Sequence, residues 1–226
     1  MTREERHALG FWIGRLPASF TNRLPPLKLA VADELCCVGS SVFVNGIPNR
    51  AGRDHGQPRS QLHAASYIPQ RYVVLHRSLF RRRVELGRIL YHELCHFLWP
   101  RLGNSLRKNY AARLRAEFDK GARGELGHSA QWRKEKLLGG QRRGASNPSR
   151  DPFGKLRAGR KRAACSLSTT TGRLWREYLC ESFCDTGSYV LLGSERRTGH
   201  SEYTLSRAAR EQRKHWMVAW GIGSGE

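Results

Sequence analysis

Leu86, Ile89, Leu90, Leu94, Phe97 and Leu98 recur at the three- and four-residue spacing of a helix, and Pro100 ends the pattern. Leu174, Tyr178, Leu179, Phe183, Val190 and Leu191 alternate with polar residues in the same way and predict a second helix. Residues 104–138 read as mostly helical, with Leu106, Tyr110, Leu114 and Phe118 four apart and a polar break near 121–127. Residues 4–15 predict a short amphipathic helix, and 203–220 a basic one with Trp216 and Trp220 on one side. Strand signals are fewer. Residues 27–31 and 41–45 predict strands, the second with Val42 and Val44 on one face, and 46–70 read as a loop rich in Gly, Pro, Asn, Arg and Gln. Tyr72, Val73, Val74 and Leu75, within 71–80, predict a strand just before the helix of Leu86–Leu98. The expected fold class is α+β, a small mixed or antiparallel sheet packed on two principal helices.

Polar residues interrupt the first of these helices in a particular order. His92-Glu93-Leu94-Cys95-His96 has the form H-E-x-x-H, and two histidines four apart share one helix face. They can direct two imidazoles at one Zn²⁺ ion, with Glu93 beside it to take a proton from a bound water. The plainer alternative, a buried helix with two satisfied core histidines, leaves Glu93 without a role. A catalytic zinc site needs a third protein ligand and an open position. The second helix carries Glu181 and Asp185 four apart, so one carboxylate can bind a metal while the other accepts the N–H of a ligand histidine. Glu177, one turn earlier, competes for the ligand role.

His92-Glu93-x-x-His96 followed by Glu181-x-x-x-Asp185 resembles the gluzincin branch of the zinc metallopeptidases. The resemblance covers two helices and implies a zincin-like fold with His92, His96 and Glu181 as zinc ligands. It further implies Glu93 as general base and Asp185 as the residue orienting a ligand histidine. A strand before the H-E-x-x-H helix is the zincin order, in which residues 71–77 would hold a substrate backbone by β-addition; an internal core strand would have the same sequence pattern. Tyr189, His200 and Tyr203 lie downstream and could stabilise an oxyanion, but each reads better as a structural or exposed residue. A second resemblance is carried by Gly127-His128-Ser-Ala-Gln-Trp132, which is similar to the segment following H-E-x-x-H in SprT-like proteases. It implies His128 as the third ligand and protein attached to DNA as the substrate. A third reading is a non-catalytic, zinc-stabilised nucleic-acid-binding protein.

At 226 residues with 39 % hydrophobic content, the chain suits a single domain, 1–226, with a real core. Forty basic against 19 acidic residues give a formal charge of +21, which favours nucleic acid, anionic membrane or acidic substrates. Arginine supplies 32 of those 40, a bias that genome base composition produces equally well. Residues 139–171 change character. Between Arg142 and Arg162 eight basic residues face one acid, Asp151, and the stretch reads as a flexible basic insertion. The six cysteines show no repeating spacing and read as reduced thiols; Cys95 reads as a small buried helix residue, and Cys180 and Cys184, four apart, could bind a metal or be redox-active but suit helix-core packing better. No stretch has the length and apolarity of a signal peptide or a membrane span, so a cytoplasmic protein acting on a protein or peptide substrate is expected.

Overall fold

The computed structural model describes residues 1–38, 41–45, 47–48, 60–145, 169–196 and 200–223. Seven α-helices occur among them: α1 (Arg3–Ile13), α2 (Ala18–Thr21), α3 (Arg83–Leu98), α4 (Asn104–Asp119), α5 (His128–Ala145), α6 (Thr169–Leu191) and α7 (Arg207–Ala219). The strands are β1 (Lys28–Ala32), β2 (Leu35–Val38), β3 (Ser41–Val44), β4 (Ile47–Pro48), β5 (Ser60–Gln61), β6 (Ala64–Tyr67) and β7 (Tyr72–His76). The protein is therefore mixed α+β with small sheets. Among the described residues no helix is long and apolar enough to cross a membrane.

The strands form two sheets. One is mixed, in the order β1-β7-β6, with β1 parallel and β6 antiparallel to β7. The other is antiparallel, in the order β4-β3-β2-β5. β7 is the middle strand of its sheet, and Val73, Val74 and Leu75 are fully buried, as expected of a strand covered on both faces. Its edges are already paired, so residues 71–77 are not an edge strand that could add a substrate backbone. Among the described residues the edge strands of this sheet are β1 and β6, the latter in the stretch read from sequence as loop. Ala64-Ala-Ser-Tyr67 lacks the β-branched residues that mark a strand, and pairing with β7 makes it one.

α1 begins with a capping box, Thr2 Oγ1 accepting from the Glu5 N–H while Glu5 Oε2 accepts from the Thr2 N–H at 2.6 Å. Its Trp12 packs where α3 has Gly87; a Cβ there would stand 2.6 Å from the indole. Tyr91 OH completes the contact by donating to the Trp12 carbonyl at 2.7 Å. The insertion expected over 139–171 is helical at both ends, since α5 continues to Ala145 and α6 starts at Thr169. The remainder of that stretch lies outside the described residues. The terminal helix expected over 203–220 starts only at Arg207, capped by the Ser206 hydroxyl.

α7 is docked by a buried charge. Arg213, 0 % exposed, donates to Glu125 Oε2 at 2.7 Å, to Glu117 Oε2 at 2.6 Å and to Ser182 Oγ at 2.9 Å. Glu125, also 0 % exposed, further accepts from Lys134 Nζ at 2.9 Å and Tyr178 OH at 2.6 Å. Burial opposes the Glu125 charge, but Arg213 and then Lys134 outweigh it and hold the carboxyl below its ordinary range. Removing Arg213 strands two carboxylates in the core. Arg213→Ala is expected to cost about 3–5 kcal/mol in urea unfolding. The depressed Glu125 carboxyl means that the unfolded chain binds the proton more readily, so this stability is present above the ordinary carboxylate pKa and lost as pH falls through the lowered one. The gap between wild type and Arg213→Ala should therefore narrow on acidification, which unfolding curves at several pH values would check.

Candidate metal centre

His92 and His96 lie one turn apart on α3, with ring centroids 4.9 Å apart and Nε2 atoms separated by 3.2 Å. α6 crosses this face of α3. It brings Glu181 Oε2 to 3.4 Å from His92 Nε2 and 3.9 Å from His96 Nε2. A small residue permits the crossing: a Cβ on Gly187 would stand 2.5 Å from Cys95 Sγ, so only glycine lets the α6 backbone seat against α3. Ser188 Oγ then donates to the Arg88 carbonyl at 2.7 Å and ties the two helices one turn away. Cys95 is buried at this contact and points away from a ligand role.

Each of the three converging groups is held from behind. His92 Nδ1 lies 2.8 Å from Asp185 Oδ1, which directs the ring's Nε2 lone pair toward His96 and Glu181. His96 Nδ1 lies 3.5 Å from Cys180 Sγ. Glu181 Oε1, the oxygen away from the imidazoles, forms an ion pair with Arg133, whose Nη2 lies 3.1 Å away. Gly127, just before α5, makes room for the first of these supports, since a Cβ there would stand 2.3 Å from the Asp185 carboxyl carbon.

The electrostatics are those of a compact, water-poor cluster. Burial works against the Glu181 charge, but the hydrogen bond from His92 and the charges of His96, His92 and Arg133 pull its carboxyl down to about 2. Burial likewise works against protonation of His92, and the Asp185 carboxylate reverses that, raising the imidazole well above its ordinary value. Without a cation the cluster draws protons; a divalent ion would satisfy the same carboxylates and leave both rings neutral.

Glu93 is buried beside the imidazoles, and its charge favours the protonated form of both. Its Oε2 accepts from Ser66 Oγ at 2.5 Å, and the Ser66 hydroxyl also lies 3.3 Å from the Glu93 carbonyl. Ser66 is on β6, an edge strand of the mixed sheet among the described residues, and this strand therefore runs alongside Glu93.

The other residues singled out from the sequence lie elsewhere. Glu177 pairs with Arg173 at 2.8 Å and lies 4.0 Å from Arg133 Nε, on the outer side of α6. His128 is exposed at the start of α5, where its backbone N–H donates to Glu202 Oε2 at 3.1 Å. Among the described residues, the groups whose donor atoms converge closely enough for an ion are His92, His96 and Glu181, and His96, Cys180 and Cys184. Tyr189, His200 and Tyr203 pack on one another, with His200 Nε2 3.2 Å from Glu85. Sequence reasoning missed Ser66 and Arg133. Ser66 sat in an apparent loop, and nothing local marks Arg133 as the α5 residue that reaches Glu181. No protein-family model, curated protein or solved structure significantly matches this chain.

Gly127→Ala would push a methyl group into Asp185 and move it off His92. The expected cost is about 1–3 kcal/mol, as for other overpacked sites, read from chemical unfolding of the variant against wild type.

Proposed function

We propose that this chain is a zinc-dependent metallopeptidase of the gluzincin type, with a zincin-like fold. His92 Nε2, His96 Nε2 and Glu181 Oε2 would hold the ion, Glu93 is the general base, and the substrate is a protein or peptide. The observation that carries the reading is the triangle of donor atoms. For zinc bound at about 2.0–2.1 Å, tetrahedral ligands stand about 3.3–3.4 Å apart, and the three edges here are 3.2, 3.4 and 3.9 Å. Three protein ligands leave a fourth position open, the pattern of catalytic rather than structural zinc.

When bound, zinc supplies two things: it lowers the pKa of a coordinated water toward neutrality and polarises a scissile carbonyl. The remaining work falls to side chains. Glu93 takes the water proton and returns it to the leaving amine. Ser66 steadies the Glu93 carboxylate through its 2.5 Å hydrogen bond. Asp185 keeps the His92 proton on Nδ1, and Arg133 holds Glu181 through Oε1. An extended substrate running along β6, an edge strand among the described residues, would lie with its backbone beside Glu93.

The charge of +21 supports a second element, contact with nucleic acid near the site of action. Salt-dependent binding of DNA, together with DNA-stimulated cleavage, would favour the SprT-like reading.

Elemental analysis of purified protein should find one zinc per chain, lost in Glu181→Ala and kept in His128→Ala. Loss with His128→Ala instead would overturn the ligand set. Glu93→Gln should retain zinc and lose hydrolysis of an unfolded protein such as casein; residual turnover would remove Glu93 as base. Asp185→Ala should weaken zinc about 10–100-fold in competition with a chromophoric chelator.

A further inference from the structure

We propose that His96, Cys180 and Cys184 form a second cation site, suited to a soft, thiophilic ion, and that its occupation competes with the first site for the His96 ring. The competition rests on the zinc reading above; the second site does not.

The geometry lies on the opposite edge of the same imidazole. His96 presents Nε2 to His92 and Glu181, and Nδ1 to Cys180 Sγ at 3.5 Å. Cys180 and Cys184 stand one turn apart on α6, so both thiols face α3 as an i, i+4 pair. A ring nitrogen of His96 and the two Sγ atoms all lie within 4.8 Å of one another. For a metal about 2.0–2.1 Å from an imidazole nitrogen and about 2.3 Å from a thiolate, a tetrahedral N–S edge is about 3.6 Å; the edge here is 3.5 Å. The set is closed on its inner side, where Cys184 is fully buried, and partly open at Cys180, which gives an ion a way in.

The donor chemistry selects the ion. Two thiolates and one imidazole favour a soft ion such as Cu⁺ or Cd²⁺ over Mg²⁺ or Ca²⁺, whereas two imidazoles and a carboxylate form a harder set. A neutral imidazole has one lone pair and one N–H. With the His96 lone pair on Nε2, the Nδ1 proton points at Cys180, which then serves as the acceptor that orients the ring, as Asp185 serves His92. With the lone pair on Nδ1, Nε2 carries the proton and the first site loses one of its three ligands. One neutral ring cannot serve both ions. A soft ion arriving at the thiols would therefore switch the centre off by taking His96.

Cadmium is a suitable probe, because its thiolate complexes absorb in the ultraviolet and its carboxylate and imidazole complexes do not. The full chain, stripped with a chelator and carrying Ser at Cys36, Cys37 and Cys165, would be titrated with Cd²⁺. The thiolate band should rise to an end point at one ion per chain. It should be lost in Cys180→Ser, a partly exposed position, and in Cys184→Ala, with circular dichroism confirming that each variant is folded. It should persist in Glu181→Ala, which removes a ligand of the first site only. A band unaffected by either cysteine substitution, or lost with Glu181→Ala, would overturn the second site. In zinc-loaded protein, one zinc should be released for each cadmium that enters with the band. Zinc retained while the band develops would overturn the competition. A wild type that binds no zinc but still gives the band would overturn the metallopeptidase reading and leave the second site standing.

Discussion

The contact on which the rest depends is the crossing of α3 and α6 at Gly187 and Cys95. A Cβ on Gly187 would meet Cys95 Sγ at 2.5 Å, so the helices approach as closely as a side-chain-free residue permits. At that distance the i, i+4 pair His92 and His96 meets the i, i+4 pair Glu181 and Asp185. A wider crossing would leave two histidines and two acids facing water. At this one they converge within a few ångströms of one another, His92 and Asp185 buried and His96 and Glu181 partly so.

α6 divides its polar residues between two tasks by helical phase. Tyr178, Ser182 and Thr186 face a network containing Tyr110, Glu125 and Arg213. Glu181, Asp185 and Ser188 face α3. The first set is closed and charge-balanced, which is the condition for burying ions without large cost. The second gathers carboxylates around imidazoles whose other nitrogens are already engaged, a set whose balance a cation would complete. Arg133 and Lys134, adjacent on α5, are divided in the same way, one to Glu181 and the other to Glu125. α5 is thereby fixed against both clusters at once.

The sheet contributes an edge and a hydroxyl. β7 is sealed between its neighbours and supplies core, while β6 lies alongside α3 and places Ser66 on Glu93. The chemistry proposed for Glu93 and the docking of an extended chain are thus assigned to opposite sides of one hydrogen bond. The thiols of Cys180 and Cys184 stand behind His96, on the side away from His92.

Sequence alone determined whatever local periodicity dictates. The spacing of four in His92/His96 and in Glu181/Asp185 requires each pair to share a helix face, because a helix turns in 3.6 residues. The apolar repeats around them were enough to identify α3 and α6 as helices. Periodicity is silent on which helices meet, and here the fold had to decide. It turned Glu177 outward and Glu181 inward, left His128 exposed, and recruited Arg133 from a helix whose sequence has no mark of the site. β6 was illegible for the same reason, since Ala64-Ala-Ser-Tyr67 has weak strand preference of its own and becomes a strand by pairing with β7. Helix faces are properties of a few consecutive residues. The approach of α6 to α3 depends on Gly187 finding Cys95, 92 positions earlier in the chain, and no local pattern encodes that distance.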